Sequence, residues 1–132
     1  MQQGTKTIVW FDEVTKVDIP LVGGKGANLG EMVHHQIPVP PGFIVTASAY
    51  FKFLNGAGLT DEVRHCLEGL NVNDSKRLQE VSDTIKDKIS RAPMPPDMAK
   101  EMKDAYRKLG QGLVAVRSSA TAEDLPEASF AG

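Results

Sequence analysis

Short β-branched or aromatic runs alternate along the chain with stretches whose apolar residues recur every three or four positions. Thr7 to Phe11 (TIVWF) gives way at once to charged Asp12 and Glu13, which predicts a first strand. Gly23, Gly24 and Gly26 then open a helix that carries Leu29, Met32 and Val33 at the i, i+3, i+4 spacing of one buried face. Pro38, Pro40 and Pro41 stop it, because proline lacks the amide hydrogen and disfavours helical geometry just before itself. Phe43 to Thr46 predicts a second strand, and Ala47 to Leu54 a short helix ending at the glycines around 56–58. Thr60 is placed to cap a helix bearing Val63, Cys66, Leu67 and Leu70. A longer helix carries Leu78, Val81, Ile85 and Ile89 behind an Asn73 or Asp74 cap. Met98, Met102, Ala105, Tyr106 and Leu109 mark a last helix, stopped by Gly110 and Gly112. Leu113 to Val116 predicts a third, buried strand with Arg117 at its end, and from Ser118 onward the small, acidic, aperiodic sequence predicts a loop.

The alternation gives an α+β fold class: a small sheet of three or four strands with several helices packed on it. With 132 residues there is room for one ordinary domain. Apolar residues at 41% and charged residues at 24% set a globular balance rather than a disordered one. Fifteen Lys and Arg against seventeen Asp and Glu leave a net charge of −2, which gives no electrostatic case for nucleic acid or a polybasic membrane contact. One cysteine, Cys66, excludes an intramolecular disulfide framework and a cysteine zinc site, and suits a reducing compartment. No apolar run approaches the ~20 residues of a membrane span, and the N-terminus turns polar too early for a signal peptide. A soluble, cytoplasmic chain is expected.

Two segments carry candidate chemistry. In Gly23-Gly24-Lys25-Gly26, glycines ahead of a helix let backbone amides approach an anion where the helix dipole favours negative charge. Lys25 adds a mobile positive charge for a phosphate oxygen. The spacing is neither that of the phosphate loop, since no hydroxyl follows Lys25, nor that of the dinucleotide fingerprint, since Leu29 stands at the third glycine position. A turn with a solvated lysine fits the spacing equally. In Val114-Ala115-Val116-Arg117-Ser118-Ser119, an arginine at the end of an apolar strand anchors its stem and holds its guanidinium at the sheet rim, suited to a bidentate phosphate clamp. Pairing of Arg117 with Glu123, Asp124 or Glu127 is the plainer alternative. His34 and His35 fall at a helix end and fit a capping or surface role. Cys66 and the methionines at 94, 98 and 102 fit packing, and the mixed charges of residues 74–91 a solvated face.

Four stretches give the chain a resemblance over its whole length: IVWFDEV at 8–14, VGGKGANLGEM at 22–32, IPVPPGFIVTASAY at 37–50 and VAVRSSATAEDLPEASFAG at 114–132. In this order it resembles the N-terminal nucleotide-binding region of the phosphoenolpyruvate synthases (pyruvate, water dikinases), of the PEP-utilising dikinase family; the helical middle matches in layout only. The resemblance implies that residues 1–132 are the first portion of an ATP-grasp-type, pyruvate phosphate dikinase-like nucleotide-binding domain, truncated at its C-terminal end. It places Lys25 and Arg117 on the phosphates of ATP, with Gly132, in the phosphate-covering loop, as a weaker third contact. It implies an enzyme that converts ATP, pyruvate and water to phosphoenolpyruvate, AMP and phosphate. That reaction runs through a phosphohistidine on a second domain and a pyruvate-binding third domain.

The resemblance puts the magnesium ligands, the phosphohistidine and the pyruvate site beyond Gly132. The chain is therefore expected to hold one wall of an ATP site with no catalytic and no metal-binding residue of its own, and to be inactive as a dikinase alone. A parent able to form homo-oligomers, with neither nucleic acid nor membrane as partner, completes the expectation. Pyruvate, phosphate dikinase shares the GGKGANL and PVPPGF segments, but its arginine loop runs on through methionines and glycines. Rifampin phosphotransferase shares both ATP segments and an ATAEDLP-like loop, while the opening WFDEV favours the synthase. A non-enzymatic nucleotide-binding module is the reading from a different class.

Overall fold

The computed structural model describes residues 6–120. Ile8–Trp10 (β1) and Phe43–Val45 (β2) pair antiparallel, with Ile8 opposite Val45, Val9 opposite Ile44 and Trp10 opposite Phe43. The Trp10 and Phe43 rings meet edge to face at 5.4 Å between centroids, a cross-strand aromatic pair of the kind that fixes register. Val9, on the opposite face of the pleat, is fully buried.

Two short 3-10 turns, Phe11–Glu13 and Lys16–Asp18, lead into helix α1, Ile19–His34. The second turn has a capping box: Thr15 accepts from the Val17 amide, and the Asp18 carboxylate accepts from the Thr15 amide at 2.9 Å. The core of this part is Val9, Val14, Val22 and Ala27, with Ile19, Leu21 and Ile44 packed around it. Helices α2 (Ala47–Gly56), α3 (Leu59–Leu67), α4 (Ser75–Arg91) and α5 (Pro96–Leu109) complete the elements, so that the described chain is α+β with five helices and a two-stranded sheet. It divides into two units: Met1–Tyr50 with Pro96–Gly132, and Phe51–Pro95. In the first, α5 packs on β1 and buries Met98 and Ala105. In the second, α3 packs along α4, with Leu59 and Val81 buried.

Thr46 ties the sheet to the next helix. It is 1% exposed; its hydroxyl donates to the Lys6 carbonyl at 2.6 Å and accepts from the Ala49 amide at 3.2 Å, so one side chain closes the strand and starts α2. Thr46→Ala is expected to destabilise the chain by about 1–2 kcal/mol. A urea titration unchanged from the wild type would show that neither bond matters.

The structure departs from expectation at four places. The run Leu113–Val116 forms no strand: Leu113 is 107% and Val116 91% exposed, and no described residue pairs with them. A strand needs a neighbouring edge to accept its hydrogen bonds, and the described sheet has two strands rather than three or four. On α1, Met32 is exposed and Leu29 and Val33 only half-buried; the buried face is Gly26, Ala27 and Gly30 instead. On α3 the cap is Gly58, in the left-handed conformation, while Thr60 lies inside the helix and bonds the Asn55 side chain. Cys66 is half-buried and Leu67 exposed, so the stripe expected in the core lies at its edge.

The other expected helices form close to their predicted ends, and Asp74 caps α4 by accepting from the Arg77 amide at 3.1 Å. Asp104 on the exposed side of α5 is held below the usual carboxylate range, first by its hydrogen bond from Lys100 and then by the charges of Lys100 and Arg107. None of the helices among the described residues is long and apolar enough to cross a membrane.

Candidate functional site

The glycine cluster is a break in α1. Gly23 has φ +75° and ψ 172°, outside helical geometry, so the first turn from Ile19 and the main body of the helix meet at an angle there. Glycine is needed twice over at this point. The positive φ disfavours any L side chain, and a Cβ would lie 2.4 Å from both the carbonyl oxygen and the hydroxyl of Ser119.

That closeness brings the two candidate segments together. The Ser119 hydroxyl accepts from the Gly26 amide at 3.0 Å and donates to the Val22 carbonyl at 2.6 Å. The Ala120 carbonyl accepts from the Gly24 amide at 3.1 Å. Val22 and Gly26 stand in the i, i+4 relation that an unbroken helix would join directly. The serine hydroxyl is inserted between them where Gly23 opens the helix. The Gly-Gly-Lys-Gly turn and the Arg-Ser-Ser segment, more than ninety positions apart in sequence, are thus one structural unit.

Lys25 lies half-buried in the turn of helix that follows the break. Arg117 is exposed, two residues before the bridging serine. Gly132 lies outside the described residues, as do Glu123, Asp124 and Glu127. The amides of Gly24 and Gly26, which the sequence offers as an anion cradle, are occupied by Ala120 and Ser119. Those two amides are therefore taken up within the chain, and the cations that the two joined segments carry are the side chains of Lys25 and Arg117. The place of the Ser119 hydroxyl in the helix ladder has no local signal in the sequence, because its partners are remote in the chain.

His34 and His35 are exposed at the end of α1, and the His35 amide closes the helix on the Glu31 and Val33 carbonyls. Met98 is buried in α5, while Met94 is 45% exposed. Among the described residues no three His, Cys, Asp or Glu side chains come together to hold a metal ion.

Residues 19–132 match the family described as "Pyruvate phosphate dikinase, AMP/ATP-binding domain", and the chain belongs to that family. The chain is 53% identical over 133 residues to a "Probable phosphoenolpyruvate synthase" of Staphylothermus marinus, covering 95% of this chain and 16% of that protein. It is 49% identical over 134 residues to the "Phosphoenolpyruvate synthase" of Aeropyrum pernix, covering 96% and 16% respectively. Against the "Phosphoenolpyruvate synthase" of Pyrococcus furiosus it is 43% identical, covering 95% of this chain and 20% of that one, in an alignment of 163 residues. The chain thus spans about a sixth to a fifth of the length of these curated relatives.

Proposed function

We propose that residues 1–132 are the first portion of the ATP-binding domain of a phosphoenolpyruvate synthase, an ATP-grasp-type domain in which Lys25 and Arg117 hold the nucleotide phosphates. The observation that carries this reading is the bonding of Ser119 and Ala120 to the glycine turn, which joins the two cation-bearing segments. The family match and the names of the relatives supply the nucleotide and the reaction class.

On this reading the parent enzyme converts ATP, pyruvate and water to phosphoenolpyruvate, AMP and phosphate in the cytoplasm. The phosphohistidine and pyruvate-binding domains lie in the rest of the polypeptide. Gly132 is a further, weaker phosphate contact. Phosphoryl transfer needs positioning and neutralisation of phosphate charge more than covalent chemistry from the protein. Arg117 presents a planar fork that matches two phosphate oxygens, and Lys25 a point charge. Magnesium, which would neutralise further charge on the phosphates, takes its ligands from outside this chain. By itself the chain binds ATP but does not convert ATP and pyruvate to AMP.

Isothermal titration of the chain with ATP and magnesium, beside Lys25→Ala and Arg117→Ala, tests the reading. Each variant is expected to weaken binding by about tenfold or more, the cost of one charge-assisted phosphate contact. Affinity unchanged in both variants, or no binding by the wild-type chain, would overturn it.

A further inference from the structure

Resting on the reading of Lys25 and Arg117 as phosphate contacts, we infer that Ser119 is a positioning residue for the nucleotide. Its hydroxyl, spliced into the break in α1 between the Val22 carbonyl and the Gly26 amide, sets Arg117 in register with Lys25. Four observations converge on it. Ser119 is half-buried, and both hydrogen-bonding capacities of its hydroxyl are used by one turn of helix. That turn is the one that carries Lys25. The neighbouring peptide repeats the attachment through the Ala120 carbonyl and the Gly24 amide. Gly23 leaves room for the serine only because it has no Cβ.

Apart from these bonds, the described hydrogen bond nearest Arg117 along the chain is that of the Tyr106 hydroxyl to the Gly112 carbonyl, five residues before it. The residues just before it are exposed and outside any regular element, with Leu113 and Val116 almost fully in solvent. A guanidinium on such a segment would have to be ordered by the ligand each time it bound, at a cost in affinity. Ser119 orders it beforehand. The same geometry assigns Gly24 and Gly26 a supporting part: their amides hold the serine segment rather than the phosphate.

The test is a double-mutant cycle on ATP affinity in the full 132-residue chain, measured by titration calorimetry with wild type, Ser119→Ala, Arg117→Ala and the double variant. Ser119→Ala is expected to weaken ATP binding about tenfold, and to weaken it hardly further once Arg117 is gone. In the nucleotide-free protein the Gly26 amide should exchange with solvent markedly faster in Ser119→Ala, which reports the lost staple independently of ATP. Ser119→Cys, which keeps the bulk but offers a poor donor and acceptor, is the second variant should the alanine form fold badly. It is expected to shift affinity in the same direction.

An Arg117→Ala loss with wild-type affinity in both Ser119 variants would overturn the inference and leave the proposed function standing. So would strictly additive losses, which would make Ser119 an independent ligand contact. Wild-type affinity in Arg117→Ala would overturn this inference, and wild-type affinity in Lys25→Ala as well would overturn the proposed function with it.

Discussion

Gly30→Ala is expected to destabilise the chain by about 3 kcal/mol, at the upper end of what overpacking a core site costs. The added Cβ would stand 2.2 Å from the Val14 carbonyl oxygen and 2.8 Å from the Val14 carbonyl carbon and one of its methyls. No rotamer relieves a clash with backbone, and Val14 is itself fully buried in the first unit's core. The helix must move away from the turn after β1, taking Ala27 and Val22 out of their packing. The ordinary gain of an alanine over a glycine inside a helix, about 1 kcal/mol, does not offset that. Chemical denaturation followed by far-ultraviolet circular dichroism measures the difference. A variant as stable as the wild type would mean that α1 can slide freely on the turn, contrary to the packing described.

The second large effect concerns turnover. In the full-length phosphoenolpyruvate synthase that we propose as the parent, Arg117→Ala is expected to lower kcat by on the order of 10²-fold or more, because charge develops on the phosphoryl oxygens during transfer and a positioned cation acts there most strongly. Lysine at this position keeps a charge but not the two-pronged geometry, so Arg117→Lys should recover only part of the loss. Steady-state AMP formation from ATP and pyruvate separates the possibilities. A normal kcat with a modestly raised KM would limit Arg117 to binding the ground state.

The sequence pattern anticipated β1, β2, α4 and α5 because their apolar residues are large and periodic, or β-branched and clustered. It placed the glycine turn at the opening of a helix, whereas α1 starts at Ile19 and the turn is a break within it. It misjudged which face of α1 is buried. A search for periodic large residues finds Leu29, Met32 and Val33, whereas the contact is made by Gly26, Ala27 and Gly30, which have little or no side chain for such a search to register. The four-residue spacing of Gly26 and Gly30 was the available signal, since two small residues on one helix face let a neighbouring backbone approach. The run Leu113–Val116 reads as a strand by composition, but a strand is defined by its neighbour. Its apolar character gives no information on which segment, if any, supplies the edge. The candidate cations stand out in the sequence, whereas the framework that joins their segments does not. Lys25 and Arg117 stand out by charge in glycine-rich or apolar surroundings, while the hydroxyl that joins their segments is one serine among several small polar residues.

The hydrogen bonds joining Ser119 to Val22 and Gly26 close chain loops of 97 and 93 positions, within which Phe51–Pro95 forms a unit of its own. The entropy of closing a loop grows only with the logarithm of its length. Thirty extra residues in a loop this long would raise the closure cost by about 0.2 kcal/mol, less than the worth of a single hydrogen bond. The alignment with the Pyrococcus furiosus relative, at 163 residues, is longer than this 132-residue chain, so that relative carries inserted residues within the matched region. Loop-closure entropy therefore leaves the chain length between the two joined segments nearly free to drift, so long as both ends return to the same turn.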